Sequence, residues 1–340
     1  MTNYMKRNFI PGAVLFVLLP VICILVSLTL GAFDISVPDV FRILGGKLTG
    51  QMPGDLKSIE ISMVWDVRMP RVIGAVLTGC SLAVAGGVFQ ALFGNPLADS
   101  YTLGVSNGAG FGAALAIVLS FSTVMIQVSA MIFGIASVGL TFLLAGKKRK
   151  MPVTMILSGM LVSAFFSSLV SLLKFTADPE EKLPQIVYWL MGSLAGLRYE
   201  KLLIIIPGFI AGIIILYLYR WRINILSMGS REARSMGLNV QRDRTIVIFA
   251  ATLLTALVVS IAGIIGWVGI VIPHLARMIV GPDFRKLMPV SASLGICYLL
   301  IIDDLCRTLT TQEIPIGVIT GIIGIPIFIY FISREKVSWA

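Results

Sequence analysis

Charge is scarce in this chain. Asp, Glu, Lys and Arg make up 13% of its 340 residues against 57% hydrophobic ones, and the mean hydropathy is +0.95. So little polar surface cannot cover a water-soluble globule of this length, which excludes a soluble enzyme and a disordered tail. Histidine is nearly missing: His274 stands alone, so no histidine cluster can hold a metal and no triad can be assembled around it. The four cysteines, Cys23, Cys80, Cys297 and Cys306, sit singly in or beside apolar stretches. They read as small packing residues, and neither a disulfide scaffold nor a C-x-x-C site is present. No G-x-x-x-x-G-K-[ST] phosphate loop occurs, since Gly46-Lys47 runs into Leu48, and no soluble nucleotide-binding domain is visible. A transporter driven by its own ATP chemistry is thereby excluded.

What the chain has in abundance is long apolar runs. A helix needs about 20 mostly apolar residues to cross the hydrocarbon, and ten such segments are predicted: 10 to 31, 71 to 92, 103 to 121, 125 to 145, 152 to 174, 201 to 220, 245 to 264, 267 to 280, 288 to 303 and 314 to 332. The first follows Lys6 and Arg7 but continues from Phe9 to Phe33 without a small-residue cleavage site, so it reads as a retained span. The net charge of +10 is then a matter of orientation and gives no sign of nucleic acid. With an even number of spans and the N-terminus inside, the inner segments hold 17 of the 27 lysines and arginines but only 5 of the 17 acids. That asymmetry is the positive-inside pattern. The expectation is an all-α, polytopic membrane protein of one domain, residues 1–340, with both termini cytoplasmic and the lipid bilayer as its solvent.

Three connections are long: 32 to 70 and 175 to 200 outside, and 221 to 244 inside. The outer two carry amphipathic stretches, Ser36 to Leu44 and Leu183 to Leu197, read as interfacial helices. The inner one carries Arg231, Glu232, Ala233, Arg234, Ser235, Met236 and Gly237. Its charges suit a water-exposed face, Ala233, Met236 and Leu238 give an apolar edge, and Gly237 suits a left-handed helix stop. This is a knob able to enter a groove on another protein.

Small residues recur at helical spacing. Gly104, Gly108 and Gly112 make two small-xxx-small steps, and Gly317 and Gly321 repeat the interval. Such spacing lets backbones approach where lipid supplies no hydrophobic drive between helices. Gly263, Gly266 and Gly269 surround a break between the seventh and eighth spans. Tight packing explains them; a lining for a pathway or hinge is the sharper reading. Pro96, in Asn95-Pro96-Leu97-Ala98-Asp99, interrupts the inner end of the second span. Arg68 and Arg71 flank Pro70 at its outer mouth, and Arg307 lies near the outer end of the ninth span. Arginine forks suit carboxylates. Asp303 and Asp304 are costly toward lipid and so face protein or water, with Arg307 one turn away as a local partner.

Several ordered motifs carry a resemblance. They are Arg68-Met-Pro-Arg71, Gly86-Gly-Val-Phe-Gln90 through Asn95-Pro-Leu-Ala-Asp99, Leu103 to Gly110, Trp189-Leu-Met-Gly-Ser193, Ala233-Arg-Ser-Met-Gly237, Gly266-Trp-Val-Gly269 through Pro273-His274-Leu-Ala-Arg277, and Glu313-Ile-Pro-Ile-Gly317. Together they resemble the permease subunits of bacterial ABC importers for iron chelates and cobalamin, a ten-helix family. The resemblance implies a second permease copy or paralogue, two cytoplasmic ATP-binding subunits and an external substrate-binding protein. It makes residues 231 to 237 an ATPase-coupling helix, Arg68, Arg71 and Arg307 binding-protein contacts, and Asn95 and Leu97 a cytoplasmic gate. It also implies that ATP and magnesium reside on the partner, with no catalytic residue, metal or cofactor in this chain. The cargo expected first is a ferric siderophore, then haem or cobalamin. A secondary transporter driven by an ion gradient is the alternative; it would place ionisable residues in mid-span, and none is securely there.

Overall fold

The computed structural model describes residues 9–31, 33–146, 151–310 and 312–334, and all regular structure among them is helical. Lys6, Arg7, Lys147 to Lys150, Glu335 and Lys336, which enter the charge asymmetry, lie outside the described residues.

A helix stands at each of the ten expected spans. The first is α1 (Phe9–Thr29). After α2 (Val37–Thr49) and α3 (Ser58–Ser62), a π-helical turn over Met63–Arg68 runs straight into α4 (Met69–Phe93). Then follow α5 (Val105–Val118), α6 (Thr123–Ala145), α7 (Pro152–Thr176), the short α8 (Lys182–Met191), α9 (Tyr199–Ser227), α10 (Ser230–Ser235), α11 (Val240–Ala262), α12 (Val268–Val280), α13 (Phe284–Thr308) and α14 (Ile316–Arg334). Among the described residues, six helical stretches are long and apolar enough to cross a bilayer. By contrast α12, with 13 residues, rises only about 20 Å, short of the ~30 Å hydrocarbon. Short and broken segments are tolerated where protein surrounds their free backbone groups.

Helix α4 is the axis of the bundle; its most apolar stretch is 89% buried. Gly86 faces Gly269 of α12, and Gly79 faces Gly295 of α13, so closely that a Cβ on Gly86, Gly79 or Gly295 would collide with the facing backbone carbonyl. Only hydrogen fits at these crossings, which lets the backbones come into direct contact there. The Gly108 and Gly112 pair does the same for α5 against α6, where they meet the carbonyls of Phe133 and Ser129; the Ser129 hydroxyl donates to the Gly112 carbonyl at 2.7 Å.

Two buried clusters mark the two ends. One gathers Phe93, Ala98, Ala145, Met155, Ile225, Ala233, Val240 and Phe284; the other gathers Leu28, Ile35, Val64, Val72, Leu194, Ile302 and Cys306. The connections richest in arginine therefore share one end.

Several boundaries differ from the hydropathy reading. The sixth span does not stop at residue 220 but continues to Ser227, because Ile223, Ile225 and Leu226 are buried and Arg222 pairs with the buried Asp243 at 2.8 Å. The connection 221 to 244 thus shrinks to 228–239 around α10. Helix α4 ends at Gly94, whose φ of 59° is left-handed, two residues before Pro96; glycine takes that conformation without a Cβ penalty. The stretch 183 to 197, expected as one amphipathic helix, is helical only to Met191.

Gly86→Ala should lower the thermal midpoint of the purified protein, at about 1–3 kcal/mol for an overpacked crossing. Gly139→Ala, where a Cβ meets nothing within 4 Å, should leave it unchanged or slightly raised. Equal midpoints for Gly86→Ala and wild type would contradict the close-approach assignment.

Candidate functional site: two ends and a broken middle

At the end away from the arginine-rich loops, the last carbonyls of α1 have no intrahelical donors and carry the negative end of the helix dipole. Two guanidiniums supply the missing donors. The π turn before α4 directs Arg68 onto the carbonyls of Leu28 and Thr29, both at 2.9 Å, and onto that of Phe33. From α13, Arg307 reaches the carbonyls of Leu30, at 2.7 Å, and Ser27. Beside them Arg71 grips both oxygens of the fully buried Asp303 through Nε at 3.0 Å and donates to Glu313 at 2.7 Å. Arg307 also pairs with Asp304 and lies 3.7 Å from Asp303. The local ion pairing expected for Asp303, Asp304 and Arg307 is therefore present, with Arg71 added from across the bundle.

This network alters the setting in which the three arginines were expected to await another protein. Arg68, Arg71 and Arg307 are 3%, 7% and 7% exposed, and each has partners inside the chain. Only Glu313 among their carboxylate partners is substantially open, with 40% of its side chain exposed.

Three backbone breaks meet inside the protein. The chain leaves α8 at Gly192, leaves α11 at Gly263 and enters α14 at Ile316. Ser193 N donates to the Ala262 carbonyl at 2.8 Å, and Ile316 N to that of Gly192 at 3.0 Å. A Cβ on Gly263 would strike the Trp189 carbonyl, and one on Gly317 that of Met191. These free backbone groups satisfy one another inside protein, as membrane depth demands. Of the three glycines offered for a pathway, Gly263 and Gly269 make close backbone approaches, and Gly266 sits against the Tyr101 ring. Trp267, between them, holds φ at 71°, which is unusual for a bulky side chain. Its ring packs against Phe328, and Gly324 makes room for it. Nothing in the residue pattern signalled that conformation.

At the arginine-rich end, α10 behaves as its sequence suggests. Ala233 is fully buried and anchors the helix; Arg231, Glu232, Arg234, Ser235 and Met236 are exposed. Gly237 has φ 81°, its N–H donates to Arg234 at 2.9 Å, and Leu238 N donates to Ala233 at 3.0 Å. That pair of bonds is a Schellman stop. Nearby Asn224 bonds Asp283 and the Phe284 amide at 2.6 and 2.7 Å, fixing α9 to the start of α13. Arg285 foremost, with Asn224, holds the Asp283 carboxyl well below the usual carboxylate range. Asn95 accepts from Leu97 N at 2.9 Å, which makes the 95 to 99 segment a formed turn with Leu97 half exposed at its tip. Gln90, one turn before the end of α4, bonds the carbonyls of Gly269 and Ile270 and accepts from Arg277. His274 lies buried with its ring edge-on to Phe328.

A bundle of hydrophobic helices, six of them among the described residues long and apolar enough to cross a bilayer, defines a multi-pass membrane protein. The chain belongs to the FecCD transport family, whose pattern it matches over residues 18–334. It is 41% identical to the molybdate import system permease protein MolB of Haemophilus influenzae, over 94% of each chain. It is 34% identical to the hemin transport system permease protein HmuU of Yersinia pestis, again over 94% of each. A solved structure of a metal-chelate type ABC transporter in an inward-facing conformation superposes with a TM-score of 0.86 at 38% identity, covering 96% of this chain and 99% of that one. The protein is accordingly the permease of an ABC importer, a transport subunit rather than an enzyme, and membership implies ATP-binding and substrate-binding partners.

Asp303→Asn should destabilise the purified protein by about 3–5 kcal/mol, because it leaves two buried guanidiniums undercompensated. Glu313→Gln, at the half-exposed rim, should cost much less. Thermal unfolding of the two variants side by side checks the order, and a larger loss at Glu313 would reverse the assignment.

Proposed function

We propose that this permease conducts a metal complex through a pathway formed with a second copy or a paralogue, opened by two ATP-binding subunits that grip α10. The observation that carries the reading is α10 itself: a helix anchored by one buried alanine, stopped by Gly237, and showing Met236 and a ring of charges to solvent. ATP and magnesium belong to the partner, and this chain holds no cofactor. The inner gate is the turn at Asn95 and Leu97. Support for a pathway face comes from α7, whose apolar stretch is only 28% buried and whose exposed second half carries Ser167, Ser168 and Ser171. Ser168 and Ser171 bond back to carbonyls one turn earlier, both at 3.0 Å, and beside them stand the exposed apolar side chains of Phe165, Leu172 and Phe175, so the exposed groups of this half are hydroxyls and apolar side chains. Weak multi-point contact suits release of bulky cargo.

An external binding protein would reach the arginine network through Arg71, with an incoming carboxylate displacing Glu313, while Arg68 and Arg307 stay committed to the α1 carbonyls. For the cargo, an iron chelate is the first reading, supported by relatives named for iron chelatin, iron(3+)-hydroxamate and hemin transport. Molybdate is the second, favoured by the 41% identity to MolB. Competition of labelled ferric chelate and labelled molybdate for uptake separates the two.

Met236→Asp should abolish co-purification of the ATP-binding subunits without lowering the yield of folded permease, since Met236 is exposed. Full association and uptake in that variant would remove α10 as the grip. A cysteine at Leu97 should label at different rates with and without vanadate-trapped nucleotide; equal rates would leave the turn a structural element only.

A further inference from the structure

At the arginine-rich end a cavity of about 230 Å³ opens between α6, α10 and the first turns of α11. Its polar side is formed by Arg234, Gln241 and Arg244, its apolar side by Phe142, Leu238 and Ile248, and no carboxylate lines it. Arg234 is exposed and Arg244 is buried, so one guanidinium stands at the mouth and one below it. Exposed apolar side chains stand next to the rim on both α6 and α11. On α6, Leu143 and Leu144 next to Phe142 are 76% and 61% exposed, and on α11 Phe249 is 52% exposed one turn beyond Thr245 of the cavity wall. An apolar belt that runs into a doubly cationic hollow has the layout of a lipid seen from tail to head.

We propose that this cavity takes the phosphate headgroup of an anionic phospholipid, whose acyl chains lie along Leu143, Leu144 and Phe249. A guanidinium presents a planar fork of donors to phosphate oxygens, and each basic residue near an anionic surface strengthens attraction to it. The cavity adjoins α10 on the permease side, so a bound lipid would brace the helix from behind while Met236 and Arg231 face away. The cavity shares Arg234 with the α10 surface that the ATP-binding subunits are proposed to grip, so the two readings are separated by measuring lipid on the permease alone, without those subunits.

The test is retention of lipid by the full-length permease, purified from bilayers with equal phosphatidylglycerol and phosphatidylcholine and read by native mass spectrometry. Wild type should keep phosphatidylglycerol in preference to phosphatidylcholine. Arg234→Gln and Arg244→Gln should each lower its retention roughly fivefold, whereas Arg242→Gln, an exposed arginine at the same end outside the cavity lining, should not. If Arg244→Gln fails to fold, the exposed Arg234→Gln still decides. Equal retention of both lipids, or unchanged retention in Arg234→Gln, would overturn the proposal. So would full displacement of phosphatidylglycerol by inorganic phosphate, which would assign the cavity to a free anion, or by the purified ATP-binding subunit, which would assign it to the partner.

Discussion

Everything in this bundle is arranged around one constraint: α4 must be approached by α12 and α13 to the distance at which only hydrogen fits between backbones. Lipid tails offer helices no hydrophobic reason to associate, so contact area has to come from close packing. Gly79 and Gly86 provide it on α4, and Gly295 and Gly269 answer from the neighbours. The same helix is then fixed at both ends by polar contacts in which every group has a partner, Arg71 with Asp303 at one and Gln90 with the α12 carbonyls at the other. A rigid central helix gives the shorter, broken helices something to be held against.

Those broken helices are the second consequence. A 13-residue α12 is tolerated in the bundle because the chain breaks beside it are closed by protein, Ser193 N donating to the Ala262 carbonyl and Ile316 N to that of Gly192. At the end away from the arginine-rich loops, Arg68 and Arg307 satisfy the last carbonyls of α1, and Arg307 pairs with Asp304 as well. Both solutions follow one rule: no backbone group at depth goes without a partner. They also leave the two ends unlike each other. One end is locked by ion pairs; the other carries a small helix resting on one buried alanine, which suits an element that has to move with a partner.

The sequence disclosed the spans well, since hydropathy and basic asymmetry report the same bilayer twice. It disclosed α10 almost residue by residue, because Gly237 and the charge pattern are local signals. Helix ends were harder. Arg220 and Arg222 look like an exit from the membrane, yet the turn that follows buries Ile223, Ile225 and Leu226, and burial is a property of neighbours. The arginines were harder still. Arg68 and Arg71 advertise a need for acceptors but not where those are, and the acceptors come from α1 and from Asp303, 232 positions away. Asp303 in an apolar run was the available clue: an acid there must have a partner, and an unassigned arginine at the same depth was the candidate. Trp267 gave no clue, for a left-handed tryptophan is imposed by the packing of Phe328 and Gly324 around it.

The central claim is that the chain is a conduit with no drive of its own. Reconstitution into vesicles, with and without the ATP-binding subunits and with and without an imposed ion gradient, measures this directly. The account predicts concentrative uptake of the cargo only when the ATP-binding subunits hydrolyse ATP, stopped by vanadate and indifferent to ionophores. Accumulation against a concentration gradient by vesicles holding the permease alone, driven by an imposed ion gradient, would contradict it.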